Sequence, residues 1–216
     1  MGFGFLFIGY FAAFIGFISF ARLFGYGVML LATKKLKQYN TAFGYLELAC
    51  GFMLTVSLAS SVVDLLNMLM GDGYVADAVV MAIRNAEIFL SCAFSLLMLW
   101  CIKRIADETE EKKISFGAVR NCVFILIYAV AYAISLLPLG FTKYFSLPLL
   151  LVQLTWIILN LVLIFSCYAK ICDESDVEME RKPSRFAFVN EMRAQSDARQ
   201  KEKEEKWAQR AKQRRK

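Results

Sequence analysis

The chain has no histidine and only three prolines, and its first 172 residues hold just 21 charged side chains. Without histidine it lacks the side chain that most often carries acid–base chemistry and metal ligation near neutral pH. A Gly-rich phosphate loop and a paired acidic motif beside the charged loops are also missing, so little is left to carry acid–base or phosphoryl chemistry. The sequence therefore reads as a non-enzyme that needs no cofactor. The scarcity of charge excludes more. A soluble domain spreads charge over its surface, yet 23 of the 44 charged residues fall in the last 44 positions. Apolar residues make up 58% of the chain, above the ~45–50% of a soluble globular protein. What remains is an all-α, polytopic transmembrane helical bundle over residues 1–172, followed by a charged cytoplasmic tail over 173–216 that is helical or disordered.

A helix needs about 20 apolar residues to cross a bilayer core. Four stretches meet this: Thr41 to Met70, Asp77 to Ile102, Ile114 to Leu137 and Leu147 to Cys172. Turn chemistry separates them, as Gly71-Asp72-Gly73, the charge run Lys103 to Lys113, and Pro138 to Pro148. The stretch Gly2 to Thr33 is longer than one comfortable span and carries Arg22 among glycines. It reads as a tight pair, about Phe3 to Phe20 and Leu23 to Leu36, turning near Arg22 and Gly25-Tyr26-Gly27. The expected count is six spans, with five if the N-terminal stretch is one tilted helix.

Lysine and arginine set the orientation, because short cytoplasmic loops carry the positive excess. Lys34, Lys35 and Lys37, then Lys103, Arg104, Lys112 and Lys113, alternate correctly with the tail, whereas the opposite loops hold Lys143, Asp72 and Asp77. The tail is thus expected in the cytoplasm, and six spans put the N-terminus there too. A basic n-region is missing, so no signal peptide is expected, and Leu6 stands where myristoylation wants Ser or Thr.

Six cysteines, Cys50, Cys92, Cys101, Cys122, Cys167 and Cys172, fall in the central or cytoplasmic part of the expected helices. Reducing cytosol disfavours disulfides there. With no Cys-x-x-Cys they read as small packing residues and not as a metal site.

Each ionisable group inside a membrane needs an account, since insertion costs roughly 2.5 to 3.5 kcal/mol. Counting from the cytoplasmic ends places Arg22, Asp64, Arg84 and Glu87 near the outer edge of the hydrocarbon, with Asn67 beside them. One reading is a vestibule or solute site, with Arg22 and Arg84 facing an anion or Asp64 and Glu87 a cation. The plainer reading is a structural ion-pair network that sets helix register. Ser57, Ser61, Asp64 and Asn67 form one stripe at helical spacing, and Arg84, Glu87, Ser91 and Ser95 form another. Antiparallel neighbours are expected to pack these stripes together. Gln153, Asn160 and Cys167 share one face of the last helix, expected to point inward. Glu47 stands where Lys35 or Lys37 can reach it. Gly9 with Ala13, and Ala12 with Gly16, are small-xxx-small pairs that permit close approach within the chain or in a homodimer.

The tail has two pieces, an acidic one of charge −5 over 173–180 and a basic one of net +8 from Arg181 onward. Phe186, Phe188, Val189 and Met192 beside Arg185 and Arg193 make a short apolar patch suited to an anionic inner leaflet. The terminal Lys212-Gln213-Arg214-Arg215-Lys216 is a weak nucleic-acid signal, and a basic end more often meets solvent or lipid.

The opening Gly2-Phe3-Gly4-Phe5-Leu6-Phe7-Ile8-Gly9-Tyr10, then Phe24-Gly25-Tyr26-Gly27 leading to Lys34-Lys35-Leu36, and Ser184-Arg185-Phe186-Ala187-Phe188-Val189-Asn190 resemble small uncharacterised multi-pass membrane proteins of Firmicutes, especially clostridia. Such proteins often carry an acidic, proline-containing turn before the Gly-Tyr element, where this chain has Phe20-Ala21-Arg22-Leu23. The resemblance implies the N-terminal hairpin and a bacterial inner membrane, and it brings no activity. The function expected from the residues is therefore that of an interaction, subunit or regulatory protein. The alternative is a small-solute or ion transporter or channel using Arg22, Asp64, Arg84 and Glu87, although no internal repeat or broken pair of central helices supports it.

Overall fold

Apolar runs bounded by charge become helices in the computed structural model, which describes residues 2–15, 19–71, 75–137 and 146–171. These belong to one compact unit, Met1–Cys172. The tail residues Arg185, Phe186, Phe188 and Arg193 lie outside the described residues. Among those described, six helices occur and no strand: α1 (Gly2–Ile15), α2 (Ser19–Leu36), α3 (Phe43–Met70), α4 (Asp77–Glu108), α5 (Lys112–Ser135) and α6 (Ser146–Lys170). Each packs on its neighbour in the chain, and α6 closes the ring against α1.

Four of the six, α3 to α6, are long and apolar enough to cross a membrane. At 1.5 Å per residue, α3 and α4 reach about 42 and 48 Å, more than the roughly 30 Å of a hydrocarbon core. By the same rise α1 and α2 measure about 21 and 27 Å, and they form the shorter hairpin. The outer surface is apolar: Leu48, Phe52, Phe116, Ile127 and Ile158 are each more than half exposed. A surface of this kind is stable against lipid tails and costly against water.

The N-terminal hairpin turns earlier than its sequence suggests. Arg22 and Gly25-Tyr26-Gly27 lie inside α2, and the break falls between Ile15 and Ser19. Gly25 serves close packing instead. A Cβ there would meet the Ala13 backbone nitrogen, with Gly9 O at 2.7 Å and Ala13 Cα at 2.8 Å. Gly9 answers from α1, where a Cβ would lie 2.8 Å from Gly25 O. The Gly9/Ala13 pair is thus used within the chain, which brings the two backbones together as small residues allow.

The charge run after the second long span is also mostly helical. Helix α4 continues to Glu108 because it has left the apolar region, and Lys103 reaches Asp107 one turn on at 2.5 Å. A three-residue connection remains. Glu110 adopts φ 57°, and the bonds Glu111 N to Ala106 O and Glu110 N to Asp107 O close the helix end in Schellman fashion.

The alternation of the helices gathers the basic residues. Lys34 and Lys35 end α2, Lys103 and Arg104 lie more than a turn before the end of α4, Lys112 and Lys113 begin α5, and Lys170 ends α6. Arg22, Asp64, Arg84 and Glu87 lie toward the opposite end.

Candidate functional site: an intramembrane polar column

The four isolated charges resolve into two separate pairs. Arg22 on α2 meets Glu87 on α4 at 2.7 Å, and Ser60 of α3 donates to the same carboxylate oxygen at 3.5 Å. Glu87 is only 5% exposed, while the Arg22 side chain is 36% exposed. The carboxylate is therefore the committed partner, and the longer arginine reaches it from a wetter position. Arg84 and Asp64 sit 3.8 Å apart with far more exposure. Asn67, which the sequence places in this cluster, has another task. Its side-chain oxygen accepts from Val75 N at 3.0 Å, and its carbonyl accepts from Gly71 N at 3.1 Å. It closes the connection between α3 and α4.

The stripe on α4 does not simply zip onto α3. Asp64 and Ser60 do meet α4, but Glu87, Ser91 and Ser95 turn across the ring toward α1 and α2. The Ser91 hydroxyl lies beside that of Tyr26, and the Ser95 hydroxyl lies beside that of Tyr10 without completing a well-aligned bond. The rotation of α4 that gives Glu87 its arginine sets these contacts, since residues four apart share one face.

Below them, Asn160 of α6 donates to the Tyr10 hydroxyl at 2.9 Å and accepts from Asn121 of α5 at 3.0 Å. Arg120 donates to the Asn121 oxygen from two nitrogens, at 3.3 and 3.4 Å. Tyr128 donates to Gln153 at 3.3 Å, and Tyr132 to Asn85 at 2.7 Å. Asn160 and Cys167 are fully buried, so α6 presents the expected face inward. Aromatic rings fill the space between: Tyr10 stacks on Phe14 at 4.3 Å, and Phe14 meets Trp156 edge-on at 5.6 Å. Ser57 Oγ and Trp156 Nε1 are buried and have no hydrogen-bond partner among the described residues.

Sequence reasoning reached Glu87, Ser91, Ser95, Gln153 and Asn160, and it missed Tyr10, Tyr26 and Asn121. Asn121 carried a usable signal, an amide deep inside an expected span. The tyrosines carried none, because hydroxylated rings in a phenylalanine-rich helix look like lipid-facing bulk.

Glu47 pairs with Lys37 at 2.9 Å, whereas Lys35 lies over the Phe5 ring at 4.6 Å. Four cysteines, Cys50, Cys92, Cys101 and Cys167, are buried thiols, and Cys172 lies outside the described residues. Among the described residues no three His, Cys, Asp or Glu side chains converge as a metal site.

The Asn160 bridge joins three helices through buried residues, so its removal has a measurable cost. Asn160→Leu leaves the Tyr10 hydroxyl and the Asn121 amide each short of a partner. Hydrogen bonds between membrane helices contribute about 0.6 kcal/mol on average and up to about 1.7. A loss of roughly 1 to 2 kcal/mol in detergent unfolding is expected. Adding Asn121→Leu should return part of it, and unchanged stability in the single variant would contradict the bridge.

Against protein-family models, curated proteins and solved structures alike, the chain finds no match.

Proposed function

We propose that this chain is a six-span protein of a bacterial inner membrane, with its C-terminus in the cytoplasm, that acts through contacts with other membrane components as a subunit or regulator. The observation that carries this reading is the 2.7 Å Arg22–Glu87 pair. The least exposed of the isolated charges is taken up by an arginine of its own bundle, as a structural network requires and a solute site does not. The common basic end of the helices supports the orientation. The apolar outer surface supports a membrane setting.

The transport reading rests on the looser, more exposed Asp64–Arg84 pair. Reconstitution into liposomes separates the two. Wild type and the charge-neutral double variant Asp64→Asn with Arg84→Gln are compared for ion and solute flux and for thermal unfolding. We expect no specific flux from either protein and a stability change below about 1 kcal/mol, because an exposed pair contributes little. A flux in the wild type that disappears in a folded double variant would overturn the proposal in favour of transport.

A further inference from the structure

Toward the basic end, α2 and α3 border an open groove of about 780 Å³. Two matched stripes face it. Leu30 and Lys34 on α2 and Lys37 just past its end follow one another at four and three residues, and on α3 Gly44, Leu48 and Gly51 do the same, with Glu47 also lining the groove. These steps put each set on one helix face. The glycines make the trough. A Cβ at Gly51 would meet nothing within 4 Å, and one at Gly44 only the Lys37 methylenes, at 3.5 and 3.9 Å.

The trough is graded along its length. Because the helices run antiparallel, Leu30 and Gly51 lie at its deep end and the lysines at its mouth. Lys37 is already paired with Glu47 at 2.9 Å. Lys34 is exposed and has no carboxylate within ion-pair distance among the described residues. The mouth also sits at the level of an aromatic girdle. Tyr45 on its lip packs edge-on against Trp100 at 6.4 Å, and Arg104 lies over the same indole at 5.2 Å. Tyr and Trp collect at the headgroup level of a bilayer, with basic side chains beside them.

We propose that this groove binds one anionic phospholipid, its headgroup phosphate at Lys34 beside the Lys37–Glu47 pair and one acyl chain along Gly44, Leu48 and Gly51. A basic pocket between membrane helices provides both halves of such a ligand, charge for the phosphate and an apolar channel for the tail. A free phosphate fits only the first half, and a zwitterionic lipid lacks the net charge. The proposal stands whether or not the protein is a regulator.

The full-length chain is delipidated in detergent and titrated with dioleoylphosphatidylglycerol, dioleoylphosphatidylcholine or inorganic phosphate, with lipid retention measured by native mass spectrometry alongside the thermal midpoint. Wild type should retain about one phosphatidylglycerol that resists exchange, with a raised midpoint that phosphatidylcholine and phosphate do not reproduce. Lys34→Gln should weaken retention about fivefold, the equivalent of about 1 kcal/mol for one basic residue. Gly51→Leu fills the trough at a position with free space around it, and it should weaken retention while the lipid-free midpoint holds. Lys35→Gln, on the face that meets Phe5, should change nothing. The tail is present in every variant, so differences among them report the groove. Equal retention of phosphatidylcholine, protection by phosphate alone, or unchanged retention in both groove variants would overturn the proposal.

Discussion

Gly25→Ala is expected to lower the unfolding free energy in detergent by about 3 kcal/mol, the upper part of the usual range for overpacking, while Gly27→Ala two residues away leaves it unchanged or slightly higher. The two sites share a helix and a sequence context, and they differ in what a methyl group meets. At Gly25 the obstacles are the Ala13 backbone nitrogen, Ala13 Cα at 2.8 Å and Gly9 O at 2.7 Å. Backbone atoms of a packed helix cannot step aside as a side-chain end does. The hairpin must therefore open, and it takes Tyr10 and Tyr26 out of position with it. At Gly27 the nearest atom is Leu54 Cδ1 at 3.9 Å, an ordinary contact. Alanine there also gains about 1 kcal/mol of helix propensity over glycine. Chemical denaturation of the two variants beside wild type gives the comparison directly. Equal stabilities would mean that α1 and α2 do not cross as closely as described.

The second large effect is an asymmetry within one ion pair. Arg22→Ala should cost about 3 kcal/mol, because it leaves the Glu87 carboxylate buried with only Ser60 beside it. Glu87→Gln should cost closer to 1 kcal/mol. There the remaining charge belongs to Arg22, which is a third exposed and long enough to reach toward the headgroups. The double variant Arg22→Ala with Glu87→Gln removes both charges and should recover part of the loss seen in Arg22→Ala, a coupling that a double-mutant cycle measures. If Glu87→Gln proves the more damaging of the two single changes, the carboxylate has a role beyond anchoring α2 to α4. The flux assay on that variant then becomes the informative one.

Local pattern made much of the fold legible. The long helices follow from apolar runs ended by charge, Gly71 and Pro138, and those signals act over a few residues. The inward face of α6 followed from the seven-residue spacing of Gln153, Asn160 and Cys167. Periodicity did not reveal which neighbour each stripe would meet. The stripes of α3 and α4, joined by a short loop, do meet at Asp64 and Arg84, yet Glu87 turned to α2. The hairpin turn was misplaced for a related reason. Glycine signals conformational freedom and close approach equally well in a sequence, and only a facing backbone distinguishes them.

What the amino-acid sequence alone determined, therefore, is that the chain is helical, lipid-facing and basic at alternate helix ends. Hydropathy and charge act through the solvent each residue prefers, and that preference needs no partner. Tertiary structure decided everything that depends on a pair: the arginine of Glu87, the closeness of Gly9 and Gly25, and the bridge from Asn121 through Asn160 to Tyr10. The last joins residues 150 positions apart. Such contacts are set by the rotation of each helix and by the order of the ring, and many residues together settle both through packing.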